Sequence, residues 1–150
     1  MLFWIRKPNS LPRPLKIQEN HPLNEDIDGG GYSDFGASYS PRTWMKNNGN
    51  GFVFVEIQYR LGAFGYLSSA EVQQRGQLNA GLLDMRFALR WVQQHIRKFG
   101  GDPKKVTVAG ESSGAGSAMY QALAYGGREG HLFNNVSFPS LICCSLKPTT

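Results

Sequence analysis

A serine flanked by two glycines is the pattern in this sequence best suited to chemistry. Gly110-Glu111-Ser112-Ser113-Gly114 fits Gly-x-Ser-x-Gly, which is typical of a sharp turn that joins a strand to a helix and presents a nucleophilic serine at its apex. The flanking residues must be small because the strand and helix backbones crowd them, and both glycines meet that need. We therefore expect Ser112 to adopt strained backbone angles that project its hydroxyl beyond a sheet.

A run of three glycines is the second pattern that could take part in chemistry. In Gly29-Gly30-Gly31-Tyr32 the backbone N–H groups can approach a ligand without obstruction by a Cβ atom. An oxyanion hole needs such donors, and one donor contributes about 3 to 4 kcal/mol to transition-state stabilisation. Taken alone, three glycines indicate only a flexible loop, so their interpretation depends on the serine turn.

The elements around these residues alternate between strand and helix. Residues 52–58 and Val106–Ala109 are apolar and predict buried strands. A helix over 84–99, with Asn79 as a candidate cap, is predicted between them, and another over 115–125 follows the serine. This order predicts an α/β fold in which the two strands lie parallel and near one another. The first helix should bury one stripe, formed by Met85, Ala88, Leu89, Val92, Ile96 and Phe99.

Composition excludes several classes of protein. The 150 residues suit one domain, and 41% hydrophobic with 18% charged residues excludes a disordered acidic tail and a coiled coil. No uncharged apolar run is long enough for a membrane span. The net charge of +5 is scattered rather than clustered, so we expect no nucleic-acid partner. Adjacent Cys143 and Cys144 give no disulfide framework.

Several sequence blocks in a fixed order resemble the type-B carboxylesterases, the esterase, lipase and cholinesterase family of α/β-hydrolases. The resemblance runs from about Gly29 to about Asn134. It implies a partial, truncated α/β-hydrolase fold with a mostly parallel sheet and flanking helices. The blocks are residues 29–32, 59–62, 64–68, 79–84, 91–92, 99–103 and 110–114.

The resemblance implies a role for individual residues. Ser112 matches the nucleophile, and Gly30, Gly31 and Ser113 match the positions whose amides form the oxyanion hole. Asp84 matches a structural position. The implied activity is hydrolysis of small-molecule carboxylic esters through an acyl-enzyme, without a cofactor.

Departures from the family pattern near both ends divide the chain into three parts. Residues 1–24 are rich in proline and predict an irregular lead, 25–136 predict the N-terminal part of the carboxylesterase domain, and 137–150 predict an unrelated irregular tail. The apolar strand that precedes the glycines in the family is missing before Gly29. No secretory signal is recognisable at the N-terminus, so we expect an intracellular chain or a start further upstream.

The general base is the largest gap. In the family, the acid and histidine of the triad lie far beyond the serine, past residue 150. His21, His95 and His131 are each expected to be surface residues, and their spacing predicts no metal site. Two hypotheses therefore stay open beside an ester hydrolase: a catalytically inactive fragment, and a non-enzymatic cholinesterase-like interaction protein.

Overall fold

The computed structural model describes residues 2–7, 30–33, 40–128 and 132–137. These residues form four strands and five helices. In chain order they are β1 (Leu2–Arg6), α1 (Arg42–Asn47), β2 (Phe52–Glu56), α2 (Gly62–Tyr66), α3 (Ala70–Arg75), α4 (Ala80–His95), β3 (Val106–Ala109), α5 (Ser113–Leu123) and β4 (Asn135–Ser137).

The four strands form one sheet in the order β2-β1-β3-β4. Strand β1 runs antiparallel to both of its neighbours, whereas β3 and β4 are parallel. Strands β2, β3 and β4 therefore point in one direction, and the predicted α/β fold is confirmed. The two strands predicted from the sequence share a sheet and a direction, as expected, and β1 lies between them.

Strand β1 corrects the prediction of an irregular lead over residues 1–24. It pairs along its length with both neighbours, with Leu2 opposite Glu56 on one side and opposite Ala109 on the other. Ile5 is fully buried in the core. Two flanking strands satisfy both rows of backbone groups, and such long-range pairing leaves no trace in local sequence periodicity.

Helix α4 covers the sheet with its apolar stripe. Met85, Leu89 and Val92 are fully buried, and they pack with Ile5, Val106, Val108 and Ala118 in the main core. Phe99, predicted on the same stripe, is 59% exposed. The helix tightens into a 3₁₀ turn over Ile96–Phe99, and the larger rotation per residue carries Phe99 off the buried face.

The ends of three elements also differ from prediction. Asn79 precedes α4 in a left-handed conformation and its side chain caps nothing. Helix α5 starts directly after Ser112, two residues earlier than expected. Strand β4 ends at Ser137, so the first residue of the predicted irregular tail is extended and pairs with Ala109. The rest of that tail, and residues 8–24 of the lead, lie outside the described residues.

Within the described ranges, no helix is both long and apolar enough to cross a membrane.

Candidate active site

The turn between β3 and α5 carries the candidate nucleophile. Strand β3 is buried along its whole length and ends at Ala109, three residues before Ser112. Ser112 has φ 52° and ψ −120°, a conformation that costs a non-glycine residue about 1–3 kcal/mol. This confirms the expected strained turn, and the half-buried Ser112 lies where the strand reverses into the helix.

The two glycines of the turn are not equivalent. A Cβ atom at Gly110 would overlap the backbone carbonyl of Gly114, so the chain folds back on itself too closely for any side chain there. At Gly114 itself, no atom of the described residues lies within 4 Å of the Cβ position. The expectation that crowding requires a small residue at both positions therefore holds only for Gly110.

The first amides of α5 show which donor is available beside the nucleophile. The N–H groups of Gly114 and Ala115 donate to the carbonyl of Glu111 at 2.8 and 3.3 Å, and that of Gly116 donates to Ser112 at 3.2 Å. The N–H of Ser113 has no hydrogen bond to any described residue. It stands at the positive end of a helix, where a developing negative charge is stabilised.

The glycine run reaches the same place from another part of the chain. Residues Gly30–Tyr32 form a 3₁₀ turn in which φ is 45° at Gly30 and 56° at Gly31, angles that glycine adopts without a Cβ penalty. The N–H of Tyr32 donates to the Ser113 hydroxyl at 3.3 Å. The structure therefore brings the predicted residues of both motifs together, except Gly29, which lies outside the described residues.

Tyr32, the last residue of the glycine turn, lies close to Tyr59 and Tyr66, and the sequence motifs assigned none of these side chains a role. The rings of Tyr32 and Tyr66 meet edge to face, with centroids 5.0 Å apart. Burial raises the pKa of Tyr66 above its ordinary value, and nearby Tyr59 adds to the rise. The Tyr66 hydroxyl is buried, and the Ser117 side chain of α5 partly offsets the rise in its pKa. Its ring packs against Gly81, and a glycine inside an apolar helix pattern is the sequence signal for such close packing.

Asp84 makes a structural contact. One of its oxygens accepts hydrogen bonds from the backbone N and Nε of Arg60 at 3.1 and 2.7 Å, and the other accepts from Nη2 at 2.7 Å. The side-chain hydrogen bond from Arg60 lowers the pKa of Asp84. The ion pair ties the loop before α2 to helix α4, which agrees with the structural role implied by the resemblance.

His95, the one histidine among the described residues, is not placed to act as a general base for Ser112. The ring of His95 contacts that of Trp91 at a tilt of 54°, with centroids 5.2 Å apart, and makes no hydrogen bond to Ser112. His21 and His131 lie outside the described residues. Among the described residues, no group is hydrogen-bonded to the Ser112 hydroxyl.

Comparison with known proteins decides the family. A model of the family described as "Carboxylesterase family" matches residues 11–140. The chain belongs to the carboxylesterase family. This match begins upstream of the predicted boundary at residue 25 and leaves β1 outside it.

Fungal relatives of this family member are recognisable over about two thirds of the chain. "Carboxylesterase patB" of Penicillium expansum is 50% identical over 98 residues, which are 65% of this chain and 18% of the relative. "Secreted lipase 1" of Botryotinia fuckeliana is 46% identical over 105 residues, which are 67% of this chain and 18% of the relative.

A solved structure shows the same fold. The crystal structure of Aspergillus niger EstA superimposes with a TM-score of 0.62 at 44% identity, over 65% of this chain and 19% of that one. The fold is therefore that of the α/β-hydrolase esterases. The chain spans about a fifth of the length of the relatives it matches.

Proposed function

We propose that this chain supplies the nucleophile and the oxyanion donors of a carboxylic ester hydrolase that works through an acyl-enzyme at Ser112. The observation that carries the proposal is the hydrogen bond from Tyr32 N to the Ser113 hydroxyl. It brings the glycine turn against the strained serine turn, although the two motifs are 81 residues apart in sequence. The substrate class is small-molecule carboxylic esters.

In the proposed reaction, the Ser112 oxygen attacks the ester carbonyl carbon and its proton passes to a base. The carbonyl oxygen becomes an oxyanion that accepts hydrogen bonds from the N–H groups of Gly30, Gly31 and Ser113. Collapse of the tetrahedral intermediate breaks the bond to the alcohol, which leaves with the proton. Water then attacks the acylated Ser112 and releases the carboxylic acid.

The missing partner of Ser112 supports a second candidate, a chain that is inactive when alone. A serine hydroxyl is a weak nucleophile at neutral pH without an adjacent base. The described residues place no histidine on Ser112, and His95 is engaged with Trp91. A non-enzymatic interaction protein of the cholinesterase-like kind stays a further alternative.

Ester turnover and covalent labelling test both candidates in three proteins: this chain, its Ser112→Ala variant, and a chain extended with the segments that its relatives carry. We expect the 150-residue chain to hydrolyse an activated ester little faster than Ser112→Ala, since enzymes without a triad retain only about a thousandfold advantage over water. The extended chain should react with a fluorophosphonate at Ser112.

Two outcomes would change this view. Turnover at ordinary esterase rates by the short chain would assign the base to one of its own histidines, with His131 the first to substitute. Failure of the extended chain to be labelled at Ser112 would remove the hydrolase proposal and favour the non-enzymatic alternative.

A further inference from the structure

The described hydrogen bonds of the glycine turn include one that reaches helix α5. Within the turn, Ser33 N and Ser33 Oγ both donate to Gly30 O, at 2.9 and 3.2 Å. Across to α5, the hydrogen bond from Tyr32 N to the Ser113 hydroxyl is 3.3 Å long, beyond the usual range for an N–H···O bond. Such a bond contributes about 1 kcal/mol, whereas oxyanion donors must be held within about 0.5 Å.

The side chain of Tyr32 provides a second attachment. Its hydroxyl lies 2.6 Å from the point where a Cβ atom of Gly116 would stand, so the phenol rests directly on the backbone of α5. On its other side the ring meets the edge of Tyr66. The Tyr32 ring is therefore held between α5 and a second aromatic residue.

Tyr66 is itself fixed by the core elements of the chain. It is the last residue of α2, and its hydroxyl and Cζ lie 2.9 Å from the Cβ position of Gly81, in the first turn of α4. The Gly65 N–H donates to Leu61 O at 3.2 Å. A Cβ atom at Gly65 would overlap the Arg60 carbonyl. These close contacts restrict the backbone that carries Tyr66, and they therefore restrict the position of its ring.

We propose that Tyr32 and Tyr66 are positioning residues whose ring contact sets the distance between the Gly30–Tyr32 turn and helix α5. The inference rests on the proposed function, because it assigns the pair the task of holding the oxyanion donors beside Ser112. The contact between the two rings links α2 and α4 to the glycine turn.

Amide hydrogen exchange in the 150-residue chain tests the pair without requiring catalysis. Tyr66→Leu removes the ring, Tyr66→Phe keeps it, and Gly116→Ala pushes on Tyr32 from the other side. We expect Tyr66→Leu and Gly116→Ala each to speed exchange of the Tyr32 amide at least tenfold relative to wild type. Exchange at Val108 in β3 should stay within twofold, and Tyr66→Phe should match wild type.

Gly114→Ala is the matched control for Gly116→Ala, because its added methyl group points into open space among the described residues. Wild-type exchange at the Tyr32 amide in both Tyr66→Leu and Gly116→Ala would overturn the proposal. So would equal acceleration at Val108, since that result indicates general destabilisation rather than positioning.

Fluorophosphonate labelling of Ser112 in the extended chain separates this inference from the proposed function. If the extended wild type is labelled, we expect Tyr66→Leu to slow labelling about tenfold and Tyr66→Phe to restore the rate. If the extended wild type is not labelled, the hydrolase proposal fails, whereas the exchange measurements still decide whether the pair positions the turn.

Discussion

The serine turn and the glycine turn meet at one site but are held in place differently. The serine turn is continuous with β3 and α5, and its shape follows from backbone contacts such as the approach of Gly110 to the Gly114 carbonyl. The described contacts of the glycine turn with the site include a long hydrogen bond from Tyr32 N to the Ser113 hydroxyl and the side chain of Tyr32. Backbone contacts cannot yield, whereas side-chain contacts can shift, so the two halves should respond differently to the same substitution.

The largest effect is expected at the serine turn. Gly110→Ala should lower the free energy of unfolding by about 3 kcal/mol, because the added methyl group overlaps backbone atoms that cannot move apart. Urea denaturation followed by circular dichroism measures the change. Gly114→Ala is the control and should cost nothing. Equal losses in the two variants would contradict the asymmetry between these glycines.

Strain at the nucleophile should be measurable as stability. Ser112→Gly should raise the free energy of unfolding by about 1 kcal/mol, because glycine accepts a φ of 52° without strain. Ser112→Ala keeps the Cβ atom and should leave stability within about 0.5 kcal/mol of wild type. A loss of stability in Ser112→Gly would show that the turn stores no strain.

The contact between helix α5 and the glycine turn should tolerate an added methyl group better than the serine turn does. Gly116→Ala should cost less than about 1 kcal/mol, since the obstructing atom is the far end of the Tyr32 side chain, which can swing away. The same denaturation experiment measures it, and the amide resonance of Tyr32 should shift. If Gly116→Ala lowers the free energy of unfolding as much as Gly110→Ala does, the contact of the glycine turn with α5 is no easier to displace than the backbone contact of the serine turn.

The smallest effect concerns the ion pair behind the site. The hydrogen bond from Arg60 lowers the pKa of Asp84 in the folded state, so its stabilisation is present above the unfolded pKa of about 4 and is lost as pH falls further. At pH 5 to 7 the urea midpoint of wild type should be slightly higher than that of Asp84→Asn. The two midpoints should begin to converge as the pH falls below about 4. A difference that is independent of pH would assign the contact to something other than charge.

Local pattern and motif were sufficient to predict β2, β3, α4 and the turn at Ser112. They were not sufficient for features that depend on distant parts of the chain or on a local change of helix type. Strand β1 exists because two strands flank it, and Phe99 leaves the buried stripe because the helix tightens after His95. The contact between Tyr32 and Tyr66 could not be predicted, because only the folded chain brings the two rings together.

The antiparallel strand in the middle of the sheet also constrains how the protein folds. Leu2 pairs with Ala109, about a hundred positions further along the chain. Closing such a long loop is entropically costly and is associated with slow folding. Because Ile5 belongs to the main core, the core cannot be completed until the ribosome has released β3. During synthesis β1 can pair with β2 first, and its other edge stays open until β3, which immediately precedes the serine turn, has emerged.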